Sequence, residues 1–585
     1  MRHLLLSLFT AVAVLVPASL AAYTFESNGI YYNVNGTKAI VTYKDTRYNS
    51  YKGNVTIPST VNYNGKTYNV TTIGQEAFFQ CDSLVSISIP NSVTTIERTA
   101  FQYSSLTSIT IPSSVTSIHE YAFWFSSDLS NITVDSGNPI YDSRDNCNAI
   151  IETASNKMVK GTPNTQIPTS VTALGNGAFD HYTSLTSITI PNSILSIGDQ
   201  VFIGCSGLTE IIIPNSVTTL GDRLFLDCTN LTSLTISNSV TSIGSEAVRN
   251  CENLTHLKIG NSVKSIGTYA FDNCKSLTGF ELPSSIQSIG SYAFLGCSGL
   301  TSIQFPYSLK TIGNHAFYNC SNLTKLTIPS SVTFIGEYAF SNCPGLDSIV
   351  VEKDNLYYDS RNNCNAIIKT ATNTLITGCV NTVIPESITV IDNGAFMKCN
   401  RLKQLAIPDA VTRIGKYAFR FCTGLTDFNV GNSVKTIDDY AFVGCSNLST
   451  ITFPATLYSL GLNAFTYCSA LKNIIFHQTT PPNASSVVVS SDTYDSATIF
   501  VPYESEELYQ AHSTWGKFMN IVPFIGVGPG DTNGDGRISI SDVTTLIEIL
   551  LSDEELPAWA DVDGNGRVSI SDVTTLIDML LNGSN

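Results

Sequence analysis

Oxygen-bearing side chains near the end of the chain are spaced for metal chemistry. Asp531, Asn533, Asp535 and Asp542 fall at positions 1, 3, 5 and 12 of one loop with Gly536 at position 6, and thirty residues on Asp561, Asp563, Asn565 and Asp572 repeat that spacing around Gly566. A hard divalent cation takes about six to eight oxygen ligands, and glycine at the sixth position lets the chain turn tightly enough to gather them. Arg537 and Arg567, at position 7, offer main-chain carbonyls rather than their side chains. The pattern predicts two Ca2+ ions, one per loop.

Elsewhere there is little that could react. The chain contains no Gly-x-Ser-x-Gly, His-Glu-x-x-His or phosphate-loop motif, and its seven histidines are far apart. Carboxylates before residue 531 are sparse and irregular, so a paired-carboxylate site has no evident home. The sequence therefore predicts a protein that is not an enzyme. Of the formal charge of −16, −9 sits in residues 531–585, where eleven Asp/Glu face two Arg, and nucleic acid is not an expected partner. Arg2 and His3, an apolar run from Leu4 to Val16 and small residues up to Ala22 read as a signal peptide over 1–22. No later stretch reaches the roughly 18 apolar residues of a membrane-spanning helix, so the expected location is secreted or at a bacterial cell surface.

The body that must position any binding surface repeats every 23 residues, with Ile-Pro-type anchors at Ile167, Ile190, Ile213, Ile236 and Ile259. In residues 185–190 apolar side chains alternate, which makes one short parallel strand per unit; Pro191 ends it and Ile197-Gly198 turns the chain. The Ala-Phe pair and the following Cys fill the opposite wall. One unit cannot bury its own faces, so units stack with like residue over like, and residues such as Phe271, Phe294, Phe317 and Phe340 are expected to form an aromatic spine. The organisation read from this is an N-terminal β cap at 23–56, coils over 57–476 with insertions at about 134–166 and 351–383, a C-terminal cap at 477–525, a linker at 526–530 and the acidic tail at 531–585. Residues 141–151 recur 217 positions later at 358–368, the mark of a duplicated block.

Eleven of the fifteen cysteines occupy one slot of the coil, where Ser104, Ser126 and Tyr182 stand in for Cys without breaking the repeat. That favours a small buried apolar residue, although adjacent rungs lie within bridging reach and scattered disulfides stay open. The 23-residue separation argues against zinc.

The unit, with Ile-Gly, Ala-Phe and Cys-x-x-Leu at fixed offsets, resembles the BspA-like leucine-rich repeat family of bacterial surface proteins over residues 50–476. That resemblance implies a repeat solenoid of leucine-rich coils closed by caps, and a host or matrix protein as ligand. In the tail, each loop leads into an apolar helix, Pro and Gly stand where an entering helix would be, and Asp replaces the usual Glu at position 12. These features resemble a type I dockerin over residues 531–583, which implies a small α-helical domain of duplicated calcium loops that docks on a cohesin domain of a scaffold protein. The same resemblance assigns partner selection to loop positions 10 and 11, here Ile540-Ser541 and Ile570-Ser571. On the coils, a stripe preceding Ala-Phe comprises Tyr269, Tyr292, His315, Tyr338, Tyr417 and Tyr440, and spaced aromatic rings can stack on sugars, anchor a protein or lean on their own neighbours. The expected function is a non-catalytic binding or adhesion protein anchored by its calcium-dependent tail. The alternative is a carbohydrate-binding accessory subunit of a polysaccharide-degrading assembly.

Overall fold

The computed structural model describes residues 22–45, 48–502, 505–524, 540–551, 560, 562 and 568–582. The expected signal peptide before Ala22 and the linker at 526–530 lie outside the described residues. Among the described residues no helix is long and apolar enough to cross a membrane. The chain forms two units, Met1–Val240 and Thr241–Asn585.

The first unit opens with the antiparallel strands Phe25–Ser27, Ile30–Asn35 and Lys38–Thr42. Lys38–Thr42 then pairs in parallel with Lys66–Ile73, which carries on its other side Thr95–Ile96 and beyond it Ser117–Ile118. The cap sheet thus runs directly into a ladder of two-residue strands, one from each coil. Those strands lie at the step read from sequence as the turn, so a coil contributes a two-residue strand as well as the longer one at its end. The longer strands pair separately, Ser108–Ile111 with Asn131–Val134 and Glu210–Ile212 with Ser233–Thr235. In the second unit the short ladder runs in register through Ser242–Ile243, Ser265–Ile266, Ser288–Ile289, Thr311–Ile312 and Phe334–Ile335. A third wall is also bonded coil to coil: the N–H groups of Tyr292, Phe294 and Gly296 donate to the carbonyls of Asn314, Ala316 and Tyr318 at 2.8, 2.8 and 2.9 Å. Two left-handed residues frame that wall in each coil, for example Tyr292 (φ 59°) and Gly296 (φ 68°).

Each insertion is a three-stranded antiparallel piece that rejoins the short ladder: Tyr141–Asp142, Ile150–Glu152 and Lys157–Lys160 in the first, Tyr358–Asp359, Ala366–Lys369 and Thr374–Gly378 in the second. At its start the ladder would be left without a neighbour, and a tyrosine hydroxyl supplies the acceptor instead. Ile118 N–H donates to Tyr141 Oη at 2.9 Å and Ile335 N–H to Tyr358 Oη at 2.8 Å. Arg144 and Arg361 clamp the neighbouring Asp142 and Asp359 through Nε at 2.8 Å and reach Asn156 and Asn373 through Nη1. At the far end a glycine makes room for the next phenylalanine: a Cβ on Gly161 would lie 2.4 Å from Phe179, and one on Gly378 2.2 Å from Phe396.

The core is the predicted spine. Phe271, Phe294, Phe317 and Phe340 stack with centroids 5.1–5.4 Å apart and planes within 8°, and Phe396, Phe419, Phe442 and Phe465 continue the pattern at 4.9–5.2 Å. Phe294 has no exposed surface, and its replacement by Ala removes a fully packed ring between two others. Phe294→Ala is expected to destabilise the chain by about 3–5 kcal/mol, measured by denaturant unfolding; an unchanged midpoint would contradict the stacked core.

All fifteen cysteines are free and buried. In the repeated slot thiols reach back to main-chain oxygens of a neighbouring coil: Cys297, Cys320 and Cys343 donate to the carbonyls of Phe271, Phe294 and Phe317 at 3.1–3.3 Å. Two of the three exceptions obey the same rule, while the buried Ser104 hydroxyl has no hydrogen-bond partner among the described residues. Ser126 Oγ donates to Phe101 O at 2.7 Å, and the Tyr182 hydroxyl reaches Gly161 O at 2.9 Å. Burial pushes the Cys147 thiol up to about 11 and those of Cys205, Cys343 and Cys399 to about 12, so thiolate is scarce at neutral pH. Iodoacetamide is expected to leave all fifteen unmodified in the folded chain and to alkylate all of them in denaturant; mass spectrometry showing fast native labelling would refute this.

Beyond Phe476 the C-terminal cap carries helices α1 (Ser491–Ser496) and α2 (Glu506–Ala511) and extends the long-strand sheet with Thr498–Pro502 and Asn520–Phe524. Tyr509 and Trp515 are buried against Phe476, with ring centroids 5.2 and 4.9 Å away. In the tail, α3 (Ile540–Leu551) and α4 (Ile570–Asn582) pack on each other.

Candidate docking face and aromatic stripe

The two tail helices share the run Ile-Ser-Asp-Val-Thr-Thr-Leu-Ile, and the shared sequence sorts its side chains identically. Leu546 and Leu576 are fully buried in a small core with Ala560 and Val562, against which Val543, Leu550, Val573 and Met579 pack. The adjoining stripe is left open: Ile540, Ile547 and Leu551 are 79, 41 and 80 % exposed, and their counterparts Ile570, Ile577 and Leu581 are 77, 38 and 77 % exposed. The two helices therefore present nearly equal exposed stripes. Ser541 and Ser571 are exposed beside the leading isoleucines, and their main-chain carbonyls accept Thr545 and Thr575 hydroxyls at 3.0 and 2.9 Å.

The α4 start is capped reciprocally. Ser571 N–H donates to Ser569 Oγ at 3.2 Å, and Asp572 Oδ2 accepts the Ser569 N–H at 2.7 Å. Asp542 and Asp572 are both without exposed surface. A carboxylate taken from water needs donors or a cation, and buried position-12 carboxylates in an all-oxygen ligand set fit a hard ion such as Ca2+. The remaining ligand candidates, Asp531, Asn533, Asp535, Arg537, Asp561, Asp563, Asn565 and Arg567, lie outside the described residues.

On the coils of the second unit the aromatic stripe forms a stack. Tyr269 and Tyr292 lie 4.5 Å apart at 7°, Tyr292 and His315 4.7 Å apart at 12°, and His315 and Tyr338 5.0 Å apart at 27°. Tyr417 and Tyr440 stack at 5.2 Å. Arg249 closes one end over the Tyr269 ring, and Lys416 lies over both Tyr417 and Tyr440. All six residues are half-buried. Ring faces are taken up by neighbouring rings and cations, leaving edges and hydroxyls toward solvent. Burial pulls the His315 imidazole below its ordinary value, so it sits in the stack as a neutral ring.

A buried charge cluster escaped sequence reasoning. Asp180 has no exposed surface; its carboxylate pairs with Lys160 Nζ, meets His181 Nδ1 at 3.2 Å and accepts the Phe125 N–H at 2.6 Å. Burial pushes its pKa up, but Lys160 and His181 outweigh this and hold it below the usual carboxylate range. The His181 ring is stacked on Phe125 with centroids 3.3 Å apart. The second insertion places Thr377 and Met397 at the positions of Lys160 and Asp180, so a periodic pattern carries no hint of the pair.

A family profile described as the BspA type leucine rich repeat region matches residues 54–147, 158–278, 264–377 and 373–483, and one described as the dockerin type I domain matches 529–581. No catalytic domain is matched. Among solved structures the chain is similar to a leucine-rich repeat protein from Bacteroides ovatus at 25% identity, covering 79% of this chain and 100% of that one, with a TM-score of 0.37. A leucine-rich repeat protein from Eubacterium ventriosum aligns at 26% identity over 47% of this chain and 79% of that one, TM-score 0.42. A leucine rich cell surface protein from Faecalibacterium prausnitzii aligns at 19% identity over 79% and 96%, TM-score 0.29. No curated protein matches.

Proposed function

This chain belongs to the BspA type leucine rich repeat family and carries a C-terminal type I dockerin, and from that premise we propose that it is a secreted or cell-surface binding protein without catalytic activity. The tail attaches it to a cohesin domain of a scaffold when calcium fills the two loops, and the coils engage a protein ligand. The observation that carries the attachment half is the matched pair of exposed faces led by Ile540-Ser541 and Ile570-Ser571, apolar surface that a monomer would otherwise leave to water. For the coils, the closed ring faces of the Tyr269–Tyr440 stripe favour a protein contact over a sugar laid on those rings. The carbohydrate-binding alternative draws its support from the dockerin rather than from this stripe.

Immobilised type I cohesins tested in calcium-containing buffer decide the attachment half. Saturable retention of the full chain by at least one of them is the expected result, and indifference to a broad cohesin panel would remove the reading.

A further inference from the structure

The long-strand wall of the second unit is interrupted more than once: residues 279–282 form no strand, and a wider break follows Ser348–Val351. Lys325–Ile328 pairs with Ser348–Val351, and pairing resumes only at Asp427–Asn429 with Thr450–Phe453. Two coils cross that interval, at residues 380–384 and 403–407, and neither forms a strand there. The main-chain N–H and C=O groups of residues 403–407 take part in none of the hydrogen bonds between described residues, and neither does the N–H of Ile384. Lys403, Gln404 and Ala406 are exposed, so the main-chain groups of this segment are open to solvent or to a partner. The side chains have opened with the backbone. Leu405 and Ile407 are half-buried, whereas Leu326 and Ile328 in the same slots of an intact coil are 1 and 0 % exposed. Val383 is 73 % exposed. The result is a groove of about 420 Å³ lined by Val383, Ile384, Leu405 and Ile407, with the carboxylates of Glu386 and Asp409 completing it.

We infer that this groove is a docking slot for an extended peptide, which adds a strand against residues 403–407. The occupant follows from the chemistry. Unpaired donors and acceptors at strand spacing are recognised by another peptide backbone, and the half-open apolar positions set pockets for alternate side chains. Glu386 and Asp409 select a lysine or arginine in that peptide. An apolar helix, its own main chain already bonded, would leave the main-chain groups of 403–407 unsatisfied, and sugar hydroxyls do not repeat at strand spacing. This deepens the proposed function by naming the ligand class of the coils, and it rests on that reading only in taking the coils as a binding surface.

The test uses the full chain and the fluorescein-labelled peptide Thr-Ile-Thr-Ile-Arg. Saturable binding is expected, weakened at least about tenfold by Ala406→Pro, which removes an N–H that bonds to no described residue, and equally by methylating alternate peptide nitrogens. Hydrogen exchange read by mass spectrometry supplies a second readout: amides of 403–407 exchange rapidly in the free chain, unlike those of 325–328, and slow at least about tenfold with peptide. Should Ala406→Pro perturb the melting curve, the methylated peptide and the exchange data decide. The inference is overturned by absence of saturable binding up to about 1 mM, by binding indifferent to backbone methylation, or by amides already protected in the free chain. Cohesin retention measured on the same preparation separates this failure from failure of the attachment reading.

Discussion

Chelation with EDTA is expected to cost the full chain its cohesin docking, with affinity falling at least about 100-fold and returning when Ca2+ is restored. The reason lies in how little else organises the tail. The core between α3 and α4 consists of four fully or almost fully buried apolar residues, Leu546, Ala560, Val562 and Leu576. Residues 531–585 carry eleven carboxylates against two arginines. Asp542 and Asp572 are buried at the helix starts, and without a cation the loop carboxylates that accompany them repel one another. Metal binding energy is folding energy in such a domain. Circular dichroism should lose the helical contribution of α3 and α4 on chelation while the β signal of the coils persists. Full retention of docking in EDTA would overturn the calcium assignment.

The second large effect concerns the buried pair between Lys160 of the first insertion and Asp180 of the coil that follows it. Lys160→Met is expected to destabilise the chain by about 3–5 kcal/mol, because it removes the ammonium from the fully buried Asp180 carboxylate and leaves it only His181 and the Phe125 N–H. The double variant Lys160→Met with Asp180→Leu should recover most of that loss, since replacing both partners leaves no orphaned charge. The pH dependence follows from the depressed pKa of Asp180. Its stabilising contribution is complete above the unfolded carboxylate value of about 4 and is lost as pH falls through the lower folded value. In the single variant the Asp180 carboxylate, having lost its ammonium partner, is relieved by protonation, so wild type and variant converge in acid. Urea unfolding at neutral and acid pH measures both; equal stability at neutral pH would show that the pair contributes nothing.

How much of this was legible depended on periodicity. The 23-residue spacing places Phe271, Phe294 and Phe317 in one column, and the rings do stack at 5.1–5.2 Å. The short ladder through Ser265–Ile266 and Ser288–Ile289 was hidden, because a two-residue strand is too brief to show alternation. Spacing marked the Tyr269 to Tyr440 stripe but could not reveal that successive rings consume one another's faces. The recurring Tyr-Asp-Ser-Arg segment was visible as a duplication, yet the job of Tyr141 and Tyr358, completing a ladder across an insertion, exists only in three dimensions. Lys160 and Asp180 lie twenty residues apart and belong to one copy alone, so no repeat announces them. The cysteine slot was read as small and apolar; its acceptance of Ser126 and Tyr182 makes sense once their bond to a main-chain carbonyl is seen.

Cohesin affinity of the full chain should be measured by calorimetry for wild type, Ile540→Asp, Ile570→Asp and the double variant, all in calcium. Because the two helices present matched faces, each single variant should bind within a fewfold of wild type while the double loses binding altogether. Undiminished binding by the double variant, with the helical signal intact, would contradict the account.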